Sequence, residues 1–377
     1  MIIGVPKESV EGENRVSVVP ESVQKLTGMS VFVESGAGLL SGYSDSEYAE
    51  AGARIVEDAK SIFSGADIIL KVNPPNSSET EMLKEGATII SFLYPTSNLE
   101  LVEKLASNHI NAFALDLVPR ISRAQSMDAL SSQSNLAGYK AAIIAADLSQ
   151  KIFPMMMTAA GTIPPAKVFV LGAGVAGLQA IATAKRLGAI VEAYDVRPVV
   201  KEQVESLGAS FLEIGLESKE MEGAGGYAKG QSPEFYKKQQ LILKEHAKSS
   251  DVIITTALVA GRRAPILITD EVVRSMKVGS VIVDLAAEQG GNCELTELGK
   301  IITKHGVIIA GLTNLPSMIA HEASRLFSRN VVSFLSYIIK EGKIDFDLND
   351  AIVSSSLVVY NGQIVNTLVR AALENKN

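Results

Sequence analysis

Residues 167–195 read KVFVLGAGVAGLQAIATAKRLGAIVEAYD, and this stretch decides the fold. It opens with an apolar strand, turns through glycines into a helix, and ends in a second strand. Gly172, Gly174 and Gly177 follow the G-x-G-x-x-G spacing within that strand–turn–helix–strand context. In such a unit the turn directs backbone N–H groups and the helix dipole toward a phosphate group. The stretch therefore predicts a Rossmann-type, dinucleotide-binding domain.

The glycine turn supplies the first group of predicted cofactor-binding residues. Gly172 allows the tight turn, Gly174 lets the pyrophosphate approach the backbone, and Gly177 lets the helix pack closely on the strand. Ala173 and Val175 lie between these glycines and present the backbone that would hold the phosphates.

A carboxylate marks the end of the second strand. Asp195 lies about twenty residues beyond the turn, where a carboxylate accepts hydrogen bonds from the adenine-ribose hydroxyls and repels a 2′-phosphate. This favours NAD over NADP. Arg197 is a competing signal, because an arginine nearby can accept a 2′-phosphate, but Asp195 has the stronger position at the strand tip. The alternative, an ordinary glycine turn with a solvated aspartate, fits the complete context less well.

Strand and helix patterns alternate along the rest of the chain, as in α/β proteins with a mostly parallel sheet. We predict two Rossmann-like, doubly wound α/β domains with a cleft between them. The first is discontinuous, 1–134 with 325–377, and the NAD(H)-binding domain is 135–324. The predicted strands are 2–5, 31–34, 68–72, 88–92, 112–115, 168–171, 190–194, 210–213, 252–256, 281–284 and 307–310.

Composition excludes several classes of protein. The formal net charge of −7 over 377 residues argues against nucleic-acid binding. The single cysteine, Cys293, excludes an internal disulfide and is expected to be a small buried hydrophobic residue. Four scattered histidines form no zinc pattern, so no metal site is predicted. The longest uncharged stretch, 351–369, is too polar for a membrane helix, and the start lacks a signal-peptide pattern.

A polar, serine-rich segment, PRISRAQSMDALSSQS, occupies residues 119–134. Its side chains could bind a carboxamide or a phosphate, with Asp128 anchoring an arginine. Equally, they could form a solvated loop whose Asp and Ser residues cap the following helix, expected near residues 135–148. The polar residues concerned are Arg120, Arg123, Gln125, Asp128 and Ser131.

Beyond this segment, Met155, Met156 and Met157 are expected to fill core space.

A second glycine-rich piece, GAGGYAKG, covers residues 223–230. It is long for a connection in an α/β domain, which is typical of a lid carrying an aromatic shield such as Tyr227. A surface insertion is the alternative. The four histidines, His109, His246, His305 and His321, lack a catalytic partner pattern, and we interpret them as structural or surface residues.

The chain resembles the NAD(H)-binding subunits of proton-translocating NAD(P) transhydrogenases, in the alanine dehydrogenase/pyridine nucleotide transhydrogenase family. The resemblance covers nearly the whole chain. It rests on the segments PRISRAQSMDALSSQSNLAGYK (119–140), PMMMTAAGTIPPAKV (154–168), GGYAKG (225–230) and GSVIVDLAAEQGGNCE (279–294), while IGVPKE (3–8) and ENRVSVVPESV (13–23) are shared with alanine dehydrogenases.

The resemblance implies direct hydride transfer between NAD(H) here and NADP(H) on a partner subunit, coupled to proton translocation by a membrane-spanning subunit. It assigns Arg120, Gln125, Asp128 and Ser131 to the nicotinamide end and to hydride transfer. It assigns the remaining matched residues to cofactor binding: Asp195, Val196 and Arg197 at the adenosine ribose, Gly226 and Tyr227 in a loop that folds over bound NAD(H), and Thr256, Ala257 and Leu258 at a strand end.

The resemblance also implies a homodimer that reaches the cytoplasmic face of the inner membrane through its partner subunits, without inserting itself. One alternative is a free-standing alanine dehydrogenase, for which Arg15 and Lys71 match substrate-binding positions. Against it, TIISFLYPTS (88–97) has Leu93-Tyr94 and no histidine where those enzymes carry a catalytic one, and Glu288 replaces an aspartate. Another alternative is a non-catalytic NAD-sensing module.

Overall fold

The computed structural model describes residues 1–214, 233–258 and 263–374. The chain forms two compact α/β units, Met1–Gln133 with Pro316–Asn377 and Ser134–Leu315. It leaves the first unit within helix Ala129–Leu148 and re-enters it at Pro316, rather than at residue 325. The earlier return is explained by Ser317, whose hydroxyl donates to Gly12 O and accepts from the Asn14 N–H.

The described strands and helices have the following bounds. The strands are β1 Ile2–Val5, β2 Ser30–Glu34, β3 Arg54–Val56, β4 Ile68–Leu70, β5 Thr88–Ser91, β6 Asn111–Ala114, β7 Met156–Thr158, β8 Gly161–Ile163, β9 Lys167–Leu171, β10 Ile190–Tyr194, β11 Ser210–Phe211, β12 Val252–Thr255, β13 Val281–Asp284, β14 Ile301–Lys304, β15 Val307–Ala310, β16 Ile339–Lys340, β17 Lys343–Ile344, β18 Leu357–Tyr360 and β19 Gln363–Ile364. The helices are α1 Pro20–Val23, α2 Asp45–Glu50, α3 Ala59–Gly65, α4 Ser77–Met82, α5 Leu99–Ser107, α6 Ala129–Leu148, α7 Val175–Arg186, α8 Lys201–Ser206, α9 Pro233–Ser249, α10 Asp270–Ser275, α11 Ala320–Ile338, α12 Ala351–Ser356 and α13 Thr367–Glu374.

The sheet of the first unit has the order β19-β18-β6-β5-β4-β1-β2-β3. Strands β1 to β6 pair in parallel, and β18 adds antiparallel to β6. The six parallel strands thus have the doubly wound order 3-2-1-4-5-6, which reverses between β1 and β4. Buried apolar residues cover both faces, as expected for a parallel sheet.

Local signals in the sequence explain where helices of the first unit begin. Pro20 occupies the first helical position of α1, and Ser44 forms a capping box with Glu47 at the start of α2. Helix α2 then buries Tyr48, whose hydroxyl donates to Val18 O at 2.7 Å.

The sheet of the second unit has the order β11-β10-β9-β12-β13-β15-β14. All its pairs are parallel except β14 with β15. The order is again doubly wound, and it reverses between β9 and β12. In such sheets a ligand binds in the crevice beyond the carboxyl ends of the strands at the reversal. The predicted cofactor strand, β9, therefore lies at the expected position.

A separate antiparallel hairpin, β7–β8, precedes β9. Its register pairs Met156 with Ile163 and Met157 with Thr162, and all its residues are exposed. The prediction that the three methionines fill the core is therefore wrong: Met155, Met156 and Met157 are 62%, 44% and 77% exposed. Among the described strands, β7 and β8 pair only with each other, and all their residues are exposed.

Within the described ranges, no helix combines the length and the apolar character needed to cross a membrane.

Candidate functional site

The turn after β9 has the geometry that its glycines predict. Gly172 has φ +97°, and a Cβ there would lie 2.6 Å from Thr256 Oγ1. A Cβ on Gly177 would lie 1.9 Å from Gly172 O, so only glycine permits α7 to approach the turn. At Gly174, by contrast, a Cβ would meet no described atom within 4 Å. The backbone at Gly174 therefore faces open space at the helix N-terminus, which fits a pyrophosphate.

The residues after β12 support this turn. The Thr256 N–H donates to Leu171 O at 2.8 Å, and its hydroxyl donates to Gly172 O at 3.0 Å. Thr256, Ala257 and Leu258 are partly buried and follow the strand next to β9. The structure thus brings the predicted glycine turn and the predicted strand-end residues together at the reversal point of the sheet.

Asp195 and Arg197 form a closed pair at the end of β10. Asp195 is 7% exposed, and its Oδ2 accepts from the Ala173 N–H at 2.8 Å and from Arg197 Nη2 at 3.0 Å. Its Oδ1 accepts from the N–H and the Nε of Arg197. The carboxylate therefore ties strand β10 to the glycine turn and neutralises the guanidinium, while Val196 packs on the core. This arrangement fits NAD better than a 2′-phosphate.

Two further residues shape the site and were missed from the sequence. Asp284, at the end of β13, is 1% exposed and accepts from Thr255, Ala286, Asn292, Cys293 and Thr296. Asn292 is fully buried, and its side-chain amide bonds to Ala257 and Pro265. A carboxylate directly after an apolar strand, VIVD, was a signal for Asp284, but Asn292 gave none.

The polar segment of the first unit is more ordered than predicted. Residues Ser122–Met127 form a 3₁₀ turn, and α6 begins at Ala129 rather than near 135. Asp128 caps this helix: it accepts from the Ser131 N–H at 2.8 Å and from the Ser131 hydroxyl at 2.6 Å. The interpretation that Asp128 caps the following helix is therefore confirmed, whereas Ser131 is the residue whose N–H Asp128 caps. Serines at 131, 132 and 134 disfavour a helix locally, which hid its first turns.

The 3₁₀ turn buries one side, at every third residue. Ala124 and Met127 are buried in the core of the first unit, while Gln125 is exposed. Asn330 of α11 donates from Nδ2 to Ser126 O at 2.8 Å. The turn is thus fixed on its inner side and presents Gln125 on its outer side.

The two arginines of the segment are both exposed. Arg120 lies just before the 3₁₀ turn. Arg123 lies within it and donates from Nη1 to Asp350 Oδ2 at 3.0 Å and to the Tyr337 hydroxyl at 3.2 Å. Asp350 in turn caps α12 through the N–H groups of Ile352 and Val353. Arg123 therefore belongs to a structural contact with the C-terminal part of the first unit.

A buried charge network fills the reversal point of the first sheet. Lys71 is fully buried and lies 3.0 Å from Glu79 and 3.4 Å from Glu8. Glu8 follows β1 and accepts from the Val72 N–H beyond β4, and burial raises its pKa. The network therefore joins the two strand ends where a ligand would otherwise enter.

Arg15 completes this network. It binds Glu13 through Nε at 2.7 Å and Nη2 at 2.6 Å, and it donates from Nη1 to Gln133. Burial opposes ionisation of Glu13, but the hydrogen bonds and charge of Arg15 prevail and lower the pKa of Glu13. Both cations that match alanine dehydrogenase positions are thus satisfied by carboxylates of this chain.

The two other positions compared with alanine dehydrogenases, Tyr94 and Glu288, lie in different units. Tyr94, at the position of the missing histidine, is 43% exposed in a left-handed conformation, φ +45°. The N–H groups of Leu93 and Tyr94 both donate to Asp116. Glu288 accepts from the Asn314 N–H at 3.0 Å. Both Asp116 and Glu288 therefore hold backbone turns.

The remaining sequence-based predictions concern isolated residues. Gly226 and Tyr227 lie outside the described residues. Cys293 is buried as predicted, and burial raises the pKa of its thiol to about 11. The described ranges contain no His, Cys, Asp or Glu group able to hold a metal ion. His246 bonds to Glu192, His305 to Asp270 and His321 to Ser41 O, which are structural contacts.

Comparison with protein families gives two matches. Residues 4–137 match the N-terminal domain of the family described as "Alanine dehydrogenase/PNT", and residues 141–367 match its C-terminal domain. Together these models span nearly the whole chain, and their junction falls within α6.

Individual relatives are named for one of two activities. An alpha-subunit polypeptide of the NAD(P) transhydrogenase of Rhodospirillum rubrum is 52% identical over 97% of this chain and 98% of its own length. The crystal structure of a transhydrogenase from Sinorhizobium meliloti is 44% identical, with a TM-score of 0.85 over 98% of this chain and all of that one. An L-alanine dehydrogenase structure is 26% identical, with a TM-score of 0.84 and full coverage of both chains.

Proposed function

From its membership of the transhydrogenase alpha-subunit branch of the alanine dehydrogenase/pyridine nucleotide transhydrogenase family, we propose that the chain binds NAD(H). We further propose that it exchanges a hydride directly with NADP(H) on a partner subunit. NAD(H) supplies or accepts the hydride when bound. In the full assembly a membrane-spanning subunit couples this exchange to proton translocation.

The observation that carries this proposal is the closed pair at the end of β10. Asp195 accepts from the glycine turn and from Arg197, so the carboxylate is already fixed where the adenosine ribose of a dinucleotide belongs. Because its guanidinium is already bonded to Asp195, Arg197 offers less positive charge to a 2′-phosphate. NAD(H) is therefore the cofactor that we assign to this chain, and NADP(H) is assigned to the partner.

Residues of the first unit are proposed to act at the nicotinamide end. The set consists of Arg120, Gln125, Asp128 and Ser131. Gln125 offers an exposed amide that can donate to and accept from a carboxamide, while Asp128 and Ser131 stabilise the turn that presents it. Gly226 and Tyr227 are proposed to close over the bound cofactor and exclude water. Holding two rings in a reactive orientation can supply several kcal/mol of the barrier, with a ceiling of about 7–11 kcal/mol.

The chemistry of the charge network supports transhydrogenation over amino-acid oxidation. Hydride transfer between two nicotinamides forms no carbonyl group and requires no general acid or base. An amino-acid dehydrogenase must bind a carboxylate and relay a proton, yet Arg15 and Lys71 are occupied by Glu13, Glu8 and Glu79.

The exposed hairpin supports a homodimer. Met155, Met156 and Met157 lie on it together with Ile163, which is 39% exposed. Exposed apolar clusters of this kind mark protein interaction sites, and methionine is common in them. We assign this hairpin to contact with a second copy of the chain. The assembly is proposed to lie on the cytoplasmic face of the inner membrane through its partner subunits.

Rapid-mixing hydride transfer from NADPH to an NAD analogue tests the function. The purified chain is measured alone and with the NADP(H)-binding subunit from the same source, and a separate reaction gives the chain NADH, pyruvate and ammonium. We expect fast transfer only with that subunit. Pyruvate reduction by the chain alone would instead establish an amino-acid dehydrogenase, and cofactor binding without transfer to any partner would indicate an NAD-sensing module.

A further inference from the structure

We propose that Asn292 is a positioning residue of the cofactor site, which fixes the backbone at Ala257, just after β12, and at Pro265. The inference rests on the NAD(H) site proposed above. Asn292 would act through Ala257, whose backbone borders the glycine turn. It is not expected to touch the reacting atoms.

The side-chain amide of Asn292 pairs with Ala257 as a peptide group would in a sheet. Its Oδ1 accepts from the Ala257 N–H at 2.9 Å, and its Nδ2 donates to Ala257 O at 2.8 Å. The same Nδ2 donates to Pro265 O at 2.8 Å. One buried amide thus holds residues 257 and 265 with three hydrogen bonds.

Asn292 is itself held rigidly. Its N–H donates to Asp284 Oδ2, and its carbonyl oxygen accepts from the N–H groups of Leu267 and Ile268. The residue is fully buried. A side chain fixed at its backbone and at every polar atom can transmit its own position to the groups that it binds.

The position of Ala257 matters because the glycine turn is close. A Cβ on Gly172 would lie 3.1 Å from Ala257 N, so the two backbones are in contact at the reversal point of the sheet. A shift of the backbone at Ala257 would therefore displace the glycine turn to which the dinucleotide is proposed to bind. The three hydrogen bonds of Asn292 prevent that shift before the cofactor arrives.

Substitution by aspartate tests the role of the amide. In N292D one carboxylate oxygen can still accept from Ala257, but the other faces two carbonyl oxygens. When that acid is protonated it can again donate one hydrogen bond. The titratable groups near residue 292 include Asp284, whose charge favours the neutral acid, and Cys293, whose pKa of about 11 lies above the range tested. They also include Arg263, which lies against Gly290 and whose positive charge favours the carboxylate.

The experiment measures the dissociation constant of NADH by nucleotide fluorescence at pH 6 and pH 8. For N292D we expect binding at least about tenfold weaker than wild type at pH 8, and substantial recovery at pH 6. Far-ultraviolet circular dichroism confirms that the variant is folded. Glu294→Ala is the matched control, because Glu294 makes a 2.8 Å bond from the same segment to the Asp270 N–H. This control should bind NADH as wild type does.

A second measurement needs no variant. Hydrogen exchange of residues 252–258 in the wild-type chain should be slow without NADH and change little when NADH is added. Fast exchange that only NADH slows would overturn the proposal, as would wild-type affinity of folded N292D at both pH values. If wild type itself fails to bind NADH, the proposed function fails, and this result is distinct from either outcome for Asn292.

Discussion

At the end of β10, the hydrogen bonds that connect Asp195 to Arg197 combine two opposed specificity signals into one unit. Asp195 alone excludes a 2′-phosphate by charge, and Arg197 alone would attract it. In the structure the Asp195 carboxylate accepts hydrogen bonds from Nε and Nη2 of Arg197. Specificity at this position therefore depends on the pair, and removing one member should expose the preference of the other.

We expect Asp195→Asn to reduce the discrimination between NADH and NADPH by at least about tenfold, because Arg197 loses its counter-charge and the repulsive carboxylate is removed. The dissociation constants of both nucleotides, measured by fluorescence titration, give the ratio. Glu192→Gln, a carboxylate on the same strand that pairs with His246, is the control and should leave the ratio unchanged. An unchanged ratio in D195N would show that Arg197 is not a latent phosphate ligand.

Gln125 should affect transfer more than binding. Gln125→Asn shortens the exposed amide by one methylene, so it retains the donor and acceptor but misplaces them. We expect hydride transfer with the NADP(H) subunit to slow by about tenfold or more, while NADH affinity changes far less. Ser122→Ala, in the same 3₁₀ turn, should change neither quantity. Equal losses of rate and affinity in Q125N would contradict the positioning role.

Residues with a local signal could be predicted from the sequence, and residues that act by side-chain contact with a distant backbone could not. The glycines and Asp195 follow strands at fixed spacing, so their roles follow from backbone geometry. Asn292 contacts Ala257 and Pro265, which lie 35 and 27 residues away in the sequence, and no sequence pattern links the three positions. The buried partners of Arg15 and Lys71 also became evident only in the folded chain.

At the level of elements, the strands with four or more consecutive buried residues were predicted well, as β5, β12 and β13 show. Such runs are typical of strands covered on both faces. Strand β3 is three residues long and partly exposed, and β14 is mostly exposed, so neither has this pattern. These two strands form because they pair with β2 and β15, and this pairing cannot be seen in their own sequences.

The hairpin β7–β8 provides a test at the same level. Met157→Asp places a charge on its most exposed methionine, so we expect the assigned homodimer to dissociate while each chain stays folded. Analytical ultracentrifugation measures the mass, and circular dichroism measures the fold. Leu368→Asp, an exposed apolar residue on α13, is the control and should stay dimeric. A dimer of wild-type stability in M157D would assign the interface elsewhere.

At the level of the whole molecule, the two units share one strand order and use its reversal point differently. In the second unit the reversal between β9 and β12 holds a glycine turn with open space at Gly174. In the first unit the reversal between β1 and β4 holds Glu8 and Lys71, both buried. One unit is thus arranged to receive an anion, and the other fills the same position with its own charges.

Neutralising Glu13 and neutralising Glu8 should therefore lower the unfolding free energy by unequal amounts. Glu13→Gln leaves Arg15 buried without its counter-charge and should cost about 3 kcal/mol of unfolding free energy. Glu8→Gln should cost less than Glu13→Gln, because burial raises the pKa of Glu8 and so already disfavours its charged form. Urea unfolding followed by circular dichroism compares the two. Equal losses would show that Glu8 is as strongly ionised as Glu13.

The pH dependence of the same measurement has a definite sign. A raised folded pKa means that the native state binds the Glu8 proton more tightly than the unfolded state does, so its contribution is complete below 4.5 and is lost as the pH rises through the folded pKa. Wild type should thus lose stability relative to E8Q as the pH increases from about 4.5. If wild type instead gains stability relative to E8Q as the pH rises, the pKa of Glu8 is not raised in the folded chain.

The buried thiol of Cys293 has a practical consequence for spectroscopy. The chain has one cysteine, it is 1% exposed, and its pKa of about 11 leaves almost no thiolate at neutral pH. A maleimide dye or nitroxide spin label should therefore react slowly with the native chain. A cysteine introduced at any exposed position would be the dominant labelling target, without prior removal of the native thiol. Distances and motions in the working assembly could then be recorded from one defined label per chain.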